Sequence, residues 1–201
     1  MATKLKKATR LAVICYGFGD LASQFVWTFV GSYLTIFYTD IVGLAPAAIS
    51  AIMLGARIWD AINDPLMGAV AERTRTRWGR FRPYIAFGAP LLAIMGVVTF
   101  TNPFSGSSIE GVIWAAVTYV VAGMIYTLTN IPYGALAAVM TEDAAQRNSI
   151  NTSRNIGMNL GMLIVNMFAA VIALRFSAQG AEVADGQGYM MTAVVFGIIS
   201  I

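Results

Sequence analysis

Apolar runs long enough to cross a bilayer constrain this chain more than any other feature. A spanning helix needs about 20 mostly apolar residues. The segments 11–38, 46–70, 83–102, 111–140 and 150–176 meet that length, and a sixth begins near 188 and is still apolar at Ile201. The chain is 58% hydrophobic and only 11% charged, against about 25% charged in water-soluble domains. The expected fold is therefore all-α, a polytopic membrane protein over residues 1–201 whose sixth helix is cut short. The breaks are polar and turn-forming: Asp40, Gly43 and Pro46; Asn102, Pro103 and Gly106; Glu142, Asp143 and Arg147; Glu182 and Asp185. A secretory signal has an apolar core of only about 7–15 residues, so the stretch from Leu11 to Tyr38 reads as a helix that stays in place.

The basic residues sort by side. Lys4, Lys6, Lys7 and Arg10, the five arginines of the 71–82 connection, and Arg147 make ten of the thirteen; the alternate connections hold only Arg175. Lys and Arg gather in short cytoplasmic loops, which predicts a cytoplasmic N-terminus. The run from Arg73 to Arg82 resembles a nucleic-acid patch in isolation. Between two spanning helices it reads instead as a topology signal in contact with anionic lipid, and no nucleic-acid partner is expected. Histidine is absent and Cys15 is the single cysteine, so no intrachain disulfide forms and Cys15 is expected to be a small buried apolar residue. No nucleophile with a base partner and no metal cluster stands out, which argues against an enzyme.

Five ionisable residues remain inside the predicted spans: Asp20, Arg57, Asp60, Asp64 and Arg154. Each costs about 2.5–3.5 kcal/mol near a helix centre on insertion scales, and such groups line interiors or pathways. Residues three or four apart share a helix face, so Arg57, Asp60 and Asp64 form one stripe with Asn63 beside it. Two carboxylates one turn apart repel, and a bound monovalent cation or a proton relieves that repulsion. Oxygen donors suit a hard cation such as sodium. The alternative is a structural network in which Arg57 neutralises the acids. Asp20, Gln24 and Trp27 share a face of the first helix; Thr127, Asn130 and Tyr133 lie on the fourth, and Arg154, Asn155 and Asn159 on the fifth. Amides, hydroxyls, an aromatic face and an arginine are what a sugar needs. The alternative is hydrogen bonding between helices, which is preferred for Asn159 and Asn166. Gly55, Gly123, Gly157 and Gly161 are expected to be close-packing contacts, and Tyr38, Trp78 and Tyr84 interfacial anchors.

Tyr-Gly-Phe-Gly-Asp at 16–20, Trp-Asp-Ala-Ile-Asn-Asp-Pro-Leu-Met-Gly at 59–68, Arg-Trp-Gly-Arg-Phe-Arg-Pro at 77–83 and Asn-Ile-Pro-Tyr-Gly at 130–134 resemble the glycoside–pentoside–hexuronide:cation symporters of the major facilitator superfamily. The resemblance runs from about residue 11 to the end. It implies twelve helices in two halves, of which this chain is the six-helix N-terminal half, with a missing C-terminal half or a second copy as partner. It further implies sugar symport coupled to Na+ or H+ in a cell membrane, a bacterial inner membrane in particular, without a cofactor. On that resemblance Asp60, Asp64 and Thr127, with Asn63, form the cation site. Asp20, Gln24, Trp27, Asn130, Tyr133 and Arg154 form the sugar site, Asp20 being either a sugar ligand or a tie between the first and fifth helices. Gln24 and Asn130 stand where the melibiose branch has aspartates, and Gly134 where it has a tryptophan, which points away from an α-galactoside and towards a uronate or pentoside. A transport-inactive half-carrier serving as a folding unit is the competing expectation.

Overall fold

The computed structural model describes residues 8–104, 108–178 and 181–201. Lys4, Lys6, Lys7 and Gly106 lie outside them. The described residues form six α-helices: α1 Arg10–Ile36, α2 Pro46–Arg73, α3 Arg82–Thr99, α4 Ile109–Met140, α5 Ala144–Phe176 and α6 Gly186–Ile199. The first helix does not stop at Tyr38. It widens into a π-helical stretch at Phe37–Val42 and ends at Gly43, whose φ of +77° is the left-handed conformation a glycine adopts without strain.

Local chemistry accounts for the ends. Thr9 caps α1 by accepting from the N–H of Ala12, and Ser108 caps α4 by accepting from Gly111. Asp143 caps α5 by accepting from Ala145 at 2.9 Å, so α5 begins at Ala144 rather than 150. Most of the polar 141–149 connection is therefore the first turns of a helix. Asp185 caps α6, accepting from Gly188 at 2.7 Å through one carboxylate oxygen and from Ala178 at 3.0 Å through the other. These backbone donors, Gly188 first, hold the Asp185 carboxyl below the usual carboxylate range.

Helix α1 lies against α5, α4 lies between α2 and α3, and α6 closes against α3 and α5. Helices α1 (with its π stretch), α3, α4 and α5 are each long and apolar enough to cross a membrane. Helix α2 is ample in length at 28 residues, but Arg57, Asp60 and Asp64 interrupt its apolar character. One end of the bundle is an aromatic core: Phe29 packs on Phe100 at 4.5 Å between centroids, with Phe37, Tyr189 and Phe196 around them.

Two sequence expectations need correction here. Tyr38 is not an interfacial anchor: it is 1% exposed and donates to the Ala115 carbonyl at 3.2 Å. Cys15 is exposed rather than buried, because the buried face of α1 runs through Tyr16, Gly17, Asp20 and Gln24. The glycines divide as well. A Cβ on Gly157 would collide with the Gly17 carbonyl oxygen, and one on Gly161 would lie 2.8 Å from that of Leu21. The backbones of α1 and α5 therefore touch, while Gly55 faces open space.

That contrast yields a prediction. Gly157→Ala should lower the thermal stability of the detergent-purified protein by several degrees, because α1 and α5 must separate. Gly55→Ala should leave it unchanged or raise it, since alanine in a helix gains about 1 kcal/mol over glycine. Equal melting of the two variants would contradict the close approach. Asp185 supplies a second test. Its folded carboxyl keeps its charge below the ordinary value of about 4, so its contribution is intact above that pH and lost as pH falls through the folded value. Amide exchange at Gly188 and Ala178, corrected for intrinsic rate, should lose protection only in that acid window; constant protection would contradict the cap.

Candidate functional site

The buried stripe of α2 runs through Ile49, Ile52, Ala56 and Asn63 and faces α4, leaving Asp60 and Asp64 partly exposed along its edge. The Thr127 hydroxyl on α4 donates to Asp64 Oδ1 at 2.9 Å. Arg57 reaches Asp60 from one turn earlier, 3.7 Å from Nη1 to Oδ2, with 70% of its side chain exposed against 25% for Asp60. The Asn63 amide is buried, and its Nδ2 has no hydrogen-bond partner. The two ends of an amide are isosteric and are assigned from their partners, so Asn63 offers either a donor or an oxygen at that point. Two carboxylates, a hydroxyl and an amide make a hard-oxygen set. Among the described residues no three His, Cys, Asp or Glu side chains gather.

A second polar cluster joins α1, α4 and α5. Arg154 Nε donates to Asp20 Oδ2 in a close ion pair, and Arg154 Nη2 donates to Asn130 Oδ1 at 3.1 Å. The third edge, from Asn130 Nδ2 to Asp20 Oδ1, is longer at 3.5 Å. Asp20 is 1% exposed, so the Arg154 pair ties α1 to α5 within the bundle. Gly134 makes room for it: a Cβ there would lie 2.8 Å from Arg154 Nη1.

The remaining sugar-site expectations fall in different places. Trp27 stacks on Tyr126 of α4, centroids 4.3 Å apart and planes 7° from parallel. Gln24 is buried, accepts from the Thr28 hydroxyl at 2.8 Å and lies against Gly161 of α5. Tyr133 stacks on Tyr16 at 4.5 Å, and each hydroxyl donates to the other's backbone carbonyl. One face of the Tyr133 ring is thereby covered, and the Arg154 guanidinium lies 5.7 Å from its centroid. Asn155 and Asn159 are exposed on α5. The expected bonds between helices do not form at Asn159 and Asn166: each donates to a carbonyl one turn back in its own helix, Asn155 and Met162 respectively.

Sequence reading missed Tyr126, Tyr16 and the position of Gly123. A Cβ on Gly123 would lie 3.5 Å from Asp60 Oδ1 and 3.7 Å from the Trp27 ring, so the Asp60 carboxylate and the Trp27 ring both come close to it. Gly123, Thr127 and Asn130 share one face of α4 at helical spacing, within about 10 Å along the axis. The two clusters are neighbours on that face. Tyr126 was legible as the aromatic beside Thr127; the Tyr16–Tyr133 pair, 117 residues apart, carries no local signal.

An all-helical bundle with membrane-length apolar helices and ionisable clusters between them is a multi-pass membrane protein. The model of the MFS/sugar transport protein family matches residues 15–201, and the chain belongs to that family, whose members are transporters rather than enzymes. It is 36% identical over 199 residues to the uncharacterized symporter YnaJ of Bacillus subtilis (strain 168), covering 99% of this chain and 42% of the relative. It is 42% identical over 152 residues to the inner membrane symporter YicJ of Escherichia coli (strain K12), covering 75% and 33%. With the isoprimeverose transporter of Lactiplantibacillus pentosus it shares 31% identity over 185 residues, covering 92% and 38%. The chain thus spans less than half the length of each of these relatives.

The Asp20–Arg154 pair makes a direct prediction. Leaving one member of a buried pair without the other costs about 3–5 kcal/mol, so Asp20→Asn and Arg154→Gln should each destabilise strongly. The double variant should fall short of the sum by at least about 1 kcal/mol. Additive losses in chemical unfolding of the detergent-solubilised protein would show that the two side chains do not act together.

Proposed function

We propose that this chain is the six-helix N-terminal half of a cation-coupled sugar symporter that takes a glycoside, pentoside or hexuronide. The observation that carries this reading is the pair of clusters on one face of α4: Thr127 with Asp64 and Asn63 on the α2 side, Asn130 with Arg154 and Asp20 towards α1 and α5. In this mechanism Asp60 and Asp64 take up Na+ or H+ with Thr127 and the unpartnered Asn63 amide. Neutralising the carboxylates removes their repulsion and holds α2 against α4. The ordered face of α4 then presents Asn130 and Arg154 to the sugar's hydroxyls, and the stacked Trp27–Tyr126 pair offers an apolar edge to its ring. Because the cation tightens sugar binding, sugar tightens the cation by the same factor. Rocking against the other half carries both inward. One positive charge moving down 100 mV supplies about 2.3 kcal/mol, enough for roughly fifty-fold accumulation.

Support from outside the chain comes from the relatives named as symporters and as an isoprimeverose transporter. The name of the inner membrane symporter and the Lys and Arg distribution support a bacterial inner-membrane location with the N-terminus in the cytoplasm. A second reading has its own observation, since the chain covers only 42% of the length of the YnaJ relative. In that reading six helices form a half-carrier that folds and assembles but does not transport until a C-terminal half or a second copy joins it.

Uptake of a panel of glycosides, pentosides and uronides into vesicles holding the full-length protein, under a sodium and then a proton gradient, tests the symport reading. Gradient-driven uptake of one class is expected; uptake indifferent to both gradients would overturn the coupling. Asp60→Cys should abolish cation stimulation of sugar binding while leaving some cation-independent affinity. Asn130→Asp should weaken binding of an anionic uronate by about tenfold, the effect of one like charge at close range. Unchanged uronate affinity would remove Asn130 from the pocket.

A further inference from the structure

The connection between α2 and α3 does more than carry positive charge. Thr76 accepts from the N–H of Trp78 at 3.2 Å and donates through its hydroxyl to the Gly79 carbonyl at 2.7 Å, while the N–H of Gly79 donates to the Thr76 carbonyl at 3.0 Å. Gly79 has φ +100°, a conformation that disfavours any side chain. The segment is thus a hydrogen-bonded turn, with Arg77 and Arg80 on either side of Trp78 in sequence.

Trp78 is not tucked into the bundle. It is 47% exposed and stacks on Phe87 of α3, itself 66% exposed, with centroids 5.9 Å apart and planes 10° from parallel. Arg77 lies 5.9 Å from the Trp78 centroid. Arg80 leans over Phe81, which is buried and anchors the turn to the bundle. Arg73, Arg75, Arg77, Arg80 and Arg82 are all exposed. The ion pairs of the described residues are Arg57–Asp60 and Arg154–Asp20, so none of these five guanidiniums has a carboxylate partner among them.

We propose that the Thr76–Gly79 turn and the Trp78–Phe87 stack form a binding site for the headgroup of one anionic phospholipid. The proposal does not depend on the transport reading, only on the chain's place in a membrane. The aromatic pair lies at the end of α3, where an amphipathic ring favours the headgroup level. Its apolar faces suit the glycerol and upper acyl carbons. Guanidiniums grip a phosphate diester through paired N–H donors, which the point charge of a lysine cannot do. Five unpaired arginines within ten residues, with only Glu72 beside them, favour a lipid of net negative charge over a zwitterionic one that also carries a phosphate. A bulk electrostatic attraction needs neither the fixed turn nor the exposed stack; a headgroup site uses both.

Native mass spectrometry of the full-length protein titrated with phosphatidylglycerol or phosphatidylcholine tests this. One phosphatidylglycerol should be retained about tenfold more strongly than phosphatidylcholine, and millimolar inorganic phosphate should not displace it. Arg77→Gln with Arg80→Gln should erase the preference, and Trp78→Ala should weaken retention of both lipids. Arg77→Lys with Arg80→Lys keeps the charge and the fold, and should still lose most of the preference. Equal retention of the two lipids, displacement by inorganic phosphate, or a preference untouched by the lysine pair would overturn the site.

Discussion

A carboxylate removed from water has to be met by a positive group, and at Asp20 that group is Arg154. The pair joins α1 to α5 across 134 residues of sequence, and Asn130 brings α4 into the same contact. The approach of α1 and α5 depends on small residues as much as on charge. Gly17 and Gly157 let the backbones of α1 and α5 touch, and Gly134 opens the space the guanidinium fills. Charge without that space would leave Arg154 displaced; space without charge would leave Asp20 unmatched. The cluster is therefore a structural tie, and Arg154 keeps donors beyond those it spends on Asp20 and Asn130, which the proposed sugar site would use.

Helix α4 turns the tie into a relation between sites. Thr127 bonds Asp64 on α2, and Asn130, less than one turn later, bonds Arg154 on α5. Gly123 leaves room for both Asp60 and the Trp27 ring close to the same face. A change in charge at Asp60 and Asp64 thus acts on the helix that also presents Asn130 and the Tyr126 ring. Pro132, buried within α4 just beyond these residues, removes one backbone donor and leaves this part of the helix easier to deform. On the symport reading proposed above, this is a short physical route between the two clusters.

Much of this architecture was legible in the chain, and the remainder fails for identifiable reasons. Apolar length located all six helices, since hydropathy is a property of the segment itself. The start of α5 was misplaced because 144–149 is polar, and a polar run capped by Asp143 can still be helix at the edge of a membrane. Ionisable residues in apolar spans pointed to both clusters, because their cost demands partners. What the sequence could not supply was which partner. Tyr133 belongs with Tyr16, Trp27 with Tyr126, and Gln24 with its own helical neighbour Thr28, and those choices follow from how α1, α4 and α5 pack. Tyr38 and Cys15 exchanged their expected places because the burial of each depends on rotation of α1 about its axis, which local composition leaves open.

The central claim is that the α2–α4 carboxylates and the α1–α4–α5 cluster are thermodynamically linked through α4. Titration calorimetry of the full-length protein tests it most directly, measuring cation affinity with and without saturating sugar, and sugar affinity with and without saturating cation. The account predicts that each ligand tightens the other by the same factor, within the range of about 5–150-fold typical of coupled sites. Affinities that do not change, for either ligand in the presence of the other, would contradict it.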